Sequence, residues 1–431
     1  MGRRKILIVG AGQSGLQLAH GLQQHDYDVT VMTSQTPEEV RAGRVRSTQA
    51  MFAPALQHER DLGLNFWDDD APTIGGMHFS IPAMTGGPGP QGLNFVGRLE
   101  GSCRSVDQRI KMCAWLLDFA RRAAREDGRG RVIIGGATGS DLEYMTRHEM
   151  YDLIVVAAGR GGLARMFMPD IERTCFKKPQ RHLSVTYVRG LKPDPDFGDA
   201  DTVNFNLIPG LGELLVLPAL TTTGPCHILF FEAIPGGELD RFTYRTRTGA
   251  EHLKLTLELM KQHTPRVYQR ARDVELTDWG GFLTGSVTPV VRHPVGRPGQ
   301  HGGPVLGMAD AVLTNDPITG QGSNNAAHCA AVYLQAILDQ GGKPFDEEWM
   351  QRTWDVFWST TGKAATTWTN AMLQQPQPHV ARILTAADRH HAVADRLANG
   401  FANPSDLHAW FMDPDKASAY LSEVTGAPRG S

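Results

Sequence analysis

The stretch from Lys5 to Thr33, KILIVGAGQSGLQLAHGLQQHDYDVTVMT, constrains the fold more than any other. Ile6-Leu7-Ile8-Val9 is too short for a helix and reads as a buried strand. It runs into Gly10-Ala11-Gly12-Gln13-Ser14-Gly15, a complete GxGxxG. Leu16, Ala19 and Leu22 then repeat at helical spacing, and Asp28 to Thr33 reads as a second strand. This strand–turn–helix–strand context gives the motif its weight. The first glycine permits the tight turn, the second lets backbone approach a pyrophosphate, and the third packs helix on strand. The helix N-terminus then faces the anion. A dinucleotide is expected here, held by Gly10, Gly12 and Gly15.

One expected part is missing. An acidic residue about twenty positions on normally holds the ribose hydroxyls. Here the second strand ends in Met32-Thr33-Ser34-Gln35, and Glu38 and Glu39 come only after Pro37. Without a charge-assisted bond the hold is weaker, so loose, exchangeable cofactor binding is expected.

At 431 residues the chain divides into two or three domains. A net charge of -3 with interspersed signs argues against nucleic-acid or membrane-surface partners. No apolar run spans a bilayer, and Met1-Gly2-Arg3-Arg4-Lys5 leads into a strand rather than a signal peptide. Cys103, Cys113, Cys175, Cys226 and Cys329 are odd in number and scattered, as reduced cytoplasmic thiols are. The 16 histidines show no metal spacing, and His390-His391 reads as a solvated helix face. No metal is expected.

Among Arg41, Arg44 and Arg46, Arg44 is expected to reach the cofactor pyrophosphate, with the other two in a solvated loop. Gly75 to Gly92, dense in Gly and Pro, reads as a loop or hairpin tip. A helix opens after Arg104, with Ile110, Cys113, Ala114, Leu117 and Ala120 on one face. Arg131–Gly136 and Tyr151–Gly159 read as further strands, the second buried on both faces. Residues 1–175 thus form the first part of an α/β, Rossmann-like dinucleotide domain.

From Phe176 the pattern changes. Leu183–Arg189, Thr202–Ile208, Glu213–Leu220 and His227–Ile234 are strands at hairpin spacing, giving an inserted, mostly antiparallel substrate-domain sheet over 176–280. A helix there places Leu253, Leu257 and Met260 on one face. Residues 281–340 return to the nucleotide domain through a strand at Val287-Thr288-Pro289-Val290-Val291 and another at Val305–Met308. Asp310 at that strand's end can bond ribityl or ribose hydroxyls. Asp316-Pro317 then leads through Gly320-Gln321-Gly322 to a helix beginning near Asn324-Asn325, whose positive end suits an anionic reduced flavin. Residues 341–431 are helical, with Trp349, Trp354, Trp358, Trp368 and Trp410 in packing roles. A cap of this kind can also serve as a homodimer face. There is one GxGxxG and no second, since Gly159-Arg160-Gly161-Gly162 lacks the third glycine. The electrons of a flavin here come from a transiently bound nicotinamide or arrive with flavin already reduced.

With these residues laid out, the chain resembles the oxygenase component of the styrene and indole monooxygenases, on a fold similar to p-hydroxybenzoate hydroxylase. The similarity covers nearly the whole chain. It is carried by GAGQSGL at Gly10, QHDYDVTV at Gln24, SVDQRI at Ser105, DLIVVAAG at Asp152, KPQR at Lys178, TPVVR at Thr288, DPITGQGSN at Asp316 and TTWTN at Thr366. The resemblance implies FAD accepted in reduced form from a separate NADH-dependent flavin reductase, and O2 as co-substrate. It also implies a C4a-hydroperoxyflavin that gives one oxygen to a vinyl, indole or sulfide substrate. Where flavin hydroxylases that use their own NAD(P)H carry Asp-Gly, this chain reads Lys178-Pro179-Gln180-Arg181. By motif, Gly10, Gly12, Gly15, Arg44, Arg109, Gly159 and Asp310 bind FAD, and Pro317, Gly320, Gly322 and Asn324 border the isoalloxazine. Val45, Ser47, Thr48, Gln49 and Met51 line the pocket beside the ring, with Ile74, Met77 and Pro317. Ser47, Gln49, Met51 and Ile74 look like the indole branch, whereas Met77 and Cys103 depart from it. No side-chain general base is expected. A small aromatic substrate suits such a pocket. The competing readings are a single-component NAD(P)H-using hydroxylase or halogenase and a FAD-binding protein without turnover. Against a halogenase, no WxWxIP motif is present.

Overall fold

Where the sequence places its β-branched apolar runs, the computed structural model places parallel strands. It describes residues 3–83, 92–125, 129–159, 161–194, 202–242 and 248–426. The chain opens with β1 (Lys5–Val9), α1 (Gln13–Gln24), β2 (Asp28–Thr33) and α2 (Pro37–Ala42). Then come β3 (Ala50–Met51), α3 (Ala53–Asp61), β4 (Ile74–Ile81), β5 (Leu93–Ser105), α4 (Gln108–Ala123), β6 (Arg131–Ile134), α5 (Gly139–Arg147) and β7 (Leu153–Val156). The middle is β8 (His182–Arg189), β9 (Thr202–Ile208), β10 (Gly212–Thr221) and β11 (Gly224–Ala233). It closes with α6 (Gly249–His263), α7 (Pro265–Ala271), β12 (Glu275–Leu276) and β13 (Phe282–Ser286). The chain returns through β14 (Val290–Val291), β15 (Val295–Gly296), β16 (Val305–Gly307) and β17 (Leu313–Thr314) into α8 (Gln321–Gln340). Six helices end it: α9 (Glu347–Phe357), α10 (Lys363–Met372), α11 (Pro378–Ala387), α12 (His391–Ala402), α13 (Pro404–Trp410) and α14 (Pro414–Thr425).

The first sheet runs β15-β16-β7-β1-β2-β6 and is parallel except for β15. β1 is central, with Ile6 opposite both Val29 and Leu153, so its residues from Ile6 to Val9 are buried. Gly10 therefore leaves the sheet at the middle of its carboxyl edge, where open α/β sheets bind ligands.

The second sheet runs β12-β8-β11-β10-β9-β4-β5-β3, with β13 also pairing to β8. It is antiparallel apart from the β4–β9 pair. It therefore takes β3, β4 and β5 from before residue 175 and β13 from after residue 280, and the expected boundaries do not separate the two sheets. The cause is an open edge. β9 has β10 on one side only, and β4 fills the other with Gly76 opposite Thr202.

The C-terminal helices have a matching task. Asp388, Asp395 and Asn399 accept hydrogen bonds from the backbone N–H groups of Asn94, Arg98 and Glu100 at 2.9, 2.7 and 2.7 Å. Side chains thus satisfy backbone donors of β5 that no strand takes up. Gly97 lets α12 come this close, because a Cβ there would lie 2.1 Å from the Ala394 carbonyl oxygen. The tryptophans serve two cores. Trp349 and Trp354 pack with the parallel sheet, and Trp368 and Trp410 pack with the second.

Several local expectations shift. Gly75 to Ile81 is strand rather than loop, and the hairpin tip itself, residues 84–91, lies outside the described residues. In α4 the buried residues are Arg109, Lys111, Met112, Cys113, Trp115, Leu116 and Phe119. Of the expected face Cys113 is buried, Ile110, Ala114 and Ala120 are half-buried and Leu117 is exposed, because α1 and α2 pack on adjacent stripes. In α6 the most buried residues are His252, Thr256, Leu259 and Met260, with Leu253 and Leu257 half-buried. Val287–Pro289 is not strand, since Pro289 lacks the N–H a ladder needs. The helix after Gly320 starts at Gln321, three residues early, because left-handed Gly320 (φ 66°) turns the chain directly into it.

Candidate active site

Two helices without side-chain N-caps, α1 behind Gly12 and α8 behind Gly320, begin at the wall of one cleft of about 510 Å³. Backbone N–H groups and the positive ends of both dipoles thus meet there, which suits an anion at each. The glycines divide the work. A Cβ at Gly10 would sit 2.9 Å from the Ala157 carbonyl carbon, and one at Gly15 would sit 2.0 Å from Gly10 O. Gly10 also has φ 118°, a region that side chains rarely adopt. A Cβ at Gly12 would meet nothing within 4 Å, so that glycine faces open cleft. Gly159 lets β7 pass the Asp310 turn, where a Cβ would approach Asp310 Cβ to 2.3 Å.

Of the residues expected at the site, the cleft brings together Gly10, Gly12, Gly159, Arg109, Asp310, Pro317, Gly320, Gly322, Ser47, Thr48 and Gln49. Gly15 lies behind the turn. Asn324 stands outside the lining and acts on it. Its Oδ1 accepts Phe52 N–H at 2.9 Å, and its Nδ2 donates to Ala50 O and Gly320 O at 2.9 and 2.7 Å. Val45, Met51, Ile74 and Met77 are buried behind the wall: Val45, Ile74 and Met77 in the core of the second sheet, Met51 against α3 and α8.

Arg44 does not line the cleft. Its guanidinium lies over Phe282 and Trp279, 4.8 and 5.6 Å from the ring centroids, and Arg46 lines the cleft instead, paired with Gln35. The segment carries no regular strand, so no alternation sets which arginine turns inward; the Phe282 and Trp279 rings hold Arg44 away from the cleft. Sequence spacing carried no signal for this. Arg109 lines the cleft, but its guanidinium is taken up internally. Nη1 and Nη2 grip Asp278 at 2.8 Å each, Nε reaches Asp107 at 2.9 Å, and Nη2 also donates to Thr221 at 3.1 Å. Burial opposes the charge, but hydrogen bonds with Asp278 and Asp107 outweigh it and raise the guanidinium pKa further. Arg109 is a tie between α4, β10 and the loop before β13.

Met32, Thr33, Ser34 and Gln35, at the end of β2 where a ribose contact is expected, line the cleft. Glu39 is spent locally: its carboxylate accepts Thr36 N–H at 2.8 Å in the capping box of α2. Gln13, unforeseen in the sequence, lines the cleft and donates to Glu59 at 3.0 Å. Glu59 in turn pairs with buried Lys111, whose Nζ lies 2.9 Å from Met51 Sδ. Burial lowers the Lys111 pKa against the pull of Glu59, and raises that of Glu59. Polar strain gathers in the same place. Gln49 (φ 45°) and Ala309 (φ 48°), both in the lining, are two of four non-glycine residues with positive φ among the described residues. Ser47 Oγ and Gln49 Oε1 are buried with no hydrogen-bond partner among the described residues. A flavin, with ring donors and acceptors and a pyrophosphate, fits these residues: open space at Gly12, two anion-facing helix ends and two unused polar atoms.

A family model described as "Styrene monooxygenase A putative substrate binding domain" matches residues 159–270, which contain β8 to β11. Over 431 residues the chain is 30% identical to styrene monooxygenase StyA of a Pseudomonas species, covering 98% of both chains. The chain belongs to the styrene monooxygenase family. StyA of Pseudomonas fluorescens matches at 29% identity, again over 98% of both chains. Among solved structures, p-nitrophenol 4-monooxygenase PnpA from Pseudomonas putida superposes with a TM-score of 0.59 at 12% identity, over 92% of this chain and 96% of that one. The flavin-dependent brominase Bmp2 gives 0.56 at 14% identity, over 99% and 94%. These two show the fold alone. This member of the styrene monooxygenase family is thus a flavoprotein monooxygenase with the two-sheet architecture described above. Among the described residues, no helix is long and apolar enough to cross a membrane.

Proposed function

We propose that this chain is an oxygenase component that takes reduced FAD from a separate NADH-dependent flavin reductase and epoxidises indole. Styrene-like alkenes and sulfides are further substrates of the same pocket. Membership of the styrene monooxygenase family supports the reaction class. The observation that carries the reading is the placement of Ser47, Thr48 and Gln49 in one cleft with Pro317 and Gly320. The substrate-side wall and the proposed flavin-side turn thus adjoin. The expected Arg44 contact passes to Arg46.

Bound reduced flavin supplies the activation of O2. The chain's own residues bind, orient and exclude water. Gly12 and the α1 N-terminus receive the pyrophosphate, with Arg46 beside it. Asp310 takes a hydroxyl of the ribityl chain. Gly320 and Gly322 present backbone N–H groups to the pyrimidine edge of the ring. Ser47 Oγ and Gln49 Oε1 are the polar contacts offered to a bicyclic aromatic, with the apolar side chains Val45, Ile74 and Met77 buried behind them. The wall at Thr33, Ser34 and Gln35 has no carboxylate, which supports a cofactor that exchanges with a reductase. Ser47, Gln49, Met51 and Ile74 support indole over styrene.

The test uses the full chain with chemically reduced FAD, added anaerobically, then aerated buffer with indole and neither NADH nor reductase. Indigo is expected. Turnover of styrene but not indole would move the substrate assignment to the other branch. Product only when NADH is added would establish a single-component hydroxylase. No product from indole, styrene or a sulfide would overturn the proposal.

A further inference from the structure

Behind the Pro317–Thr319 turn lies a buried cluster of three carboxyl groups and one guanidinium. Glu232 and Asp316 are fully buried, and Glu213 and Arg181 are nearly so. Glu232 on β11 stands opposite Glu213 on β10 in the strand register. Arg181 spends its fork on Glu213, with Nε and Nη2 at 2.8 and 2.9 Å, and its Nη1 on Gln180 O at 3.1 Å. Among the described residues no cation hydrogen-bonds the other two carboxyls, and the Arg181 charge acts on them only from beside Glu213.

Glu232 and Asp316 face each other within hydrogen-bonding contact. When both are counted as acceptors, Glu232 Oε1, Glu232 Oε2 and Asp316 Oδ2 have no donor. Two buried carboxylates in contact would repel with only the Arg181 charge, already paired to Glu213, to offset them, whereas a single proton between them supplies the missing donor. Asp316 Oδ1 is already committed. It accepts Ile318 N–H at 3.2 Å and so caps the turn that delivers Pro317 and Gly320 to the cleft. The groups that face the pair are Glu213 from β10 and Arg181 from the segment before β8. Burial first, then the nearby Asp316 and Glu213 charges, push the Glu232 carboxyl well above the usual carboxylate range.

We propose that Glu232 is a neutral carboxylic acid that donates its proton to Asp316 Oδ2, and that this acid pair is a positioning element for the turn bordering the flavin ring. The acid pair is argued from the full burial of both groups and their three orphaned oxygens, independently of any cofactor. Its effect on cofactor binding rests on the flavin reading proposed above.

The experiment compares the full chain with Glu232→Gln and Glu232→Ala by infrared difference spectroscopy and by FAD titration. The wild type is expected to show the carbonyl stretch of a protonated, buried carboxylic acid, lost in Glu232→Gln. Glutamine still offers Asp316 an N–H, so Glu232→Gln should bind FAD as the wild type does. Glu232→Ala should bind about tenfold more weakly, the cost of leaving one buried acceptor without its donor. A wild type without the band, or a band that survives in Glu232→Gln, overturns the shared proton. Equal FAD affinity in the two variants overturns the positioning role. Should Glu232→Ala fail to fold, Glu232→Met, of similar volume and without a donor, takes its place, and FAD affinity there equal to that of Glu232→Gln overturns that role. If no form binds FAD, the cofactor reading fails while the band still decides the acid pair.

Discussion

Asn324 Oδ1 accepts the backbone N–H of Phe52 at 2.9 Å, joining the first turn of α8 to the end of the segment that carries Gln49. The same amide donates to Ala50 O at 2.9 Å and Gly320 O at 2.7 Å, so one side chain fixes both walls of the cleft. Replacing Asn324 by Leu keeps the volume and removes all three bonds. The expected cost is about 1–3 kcal/mol of stability in urea unfolding, since buried backbone groups lose their partners. FAD affinity should fall as well. Lost stability with unchanged affinity would assign Asn324 to folding alone.

Arg46 and Arg44 should separate cleanly. Arg46→Ala removes the cation in the cleft lining, and the FAD dissociation constant should rise about tenfold, most at low salt. Arg44→Ala removes a guanidinium stacked on Phe282 and should cost about 0.5–1 kcal/mol of stability with affinity nearly unchanged. The reverse ranking would return the pyrophosphate to Arg44.

Gly12→Ala and Gly159→Ala make an opposed pair. At Gly12 the backbone is extended (φ -87°) and a Cβ meets no protein atom, so the variant should melt as the wild type does yet bind FAD far more weakly. At Gly159 the new methyl collides with Asp310 Cβ, so both the melting temperature and FAD binding should drop. A Gly12→Ala variant with full affinity would remove the pyrophosphate from this turn.

Arg109 holds three segments through Asp107, Asp278 and Thr221. Arg109→Ala strands two carboxylates in a largely buried site and should cost about 3–5 kcal/mol. Arg109→Lys keeps the charge but loses the fork to Asp278 and should recover only part of it. Chemical denaturation of the three forms checks the order. Full stability in the lysine variant would mean charge alone suffices.

Burial holds His20, His252 and His328 down to about 4 from 6.5, so all three are neutral in the fold at neutral pH. The unfolded chain binds these protons first. Stability is therefore fully present above 6.5 and falls as the pH drops toward about 4. The urea midpoint should decline steeply over that window. His252→Phe, whose ring can still pack between Phe242 and Phe282, should make the decline shallower. A midpoint that stays level across the window would contradict neutral burial.

Much of the fold is legible because its signals are local. The GxGxxG turn between Ile6–Val9 and α1, the hairpin strands from Leu183 to Ile234 and the glycine-led entry to α8 follow from periodicity and turn chemistry within a few residues. The cleft lining at Ser47, Thr48, Gln49, Asp310, Pro317 and Gly320 carries such motif signals too. Three features carried none. Gly76 pairs with Thr202 because β9 had an unpaired edge, and no pattern near Gly76 encodes which edge is open. Arg46 rather than Arg44 turns to the cleft because Phe282, far along the chain, claims Arg44. Glu232 is an unremarkable acid in sequence and Asp316 marks only a turn there, and their burial together follows from tertiary packing. The sequence by itself determined the nucleotide turn and the strands and helices beside it, since backbone sterics and hydrophobic period act over one or two turns of chain. The tertiary structure decided which charges are buried, paired or turned to the cleft, since burial and Coulomb energy depend on neighbours that local sequence does not name.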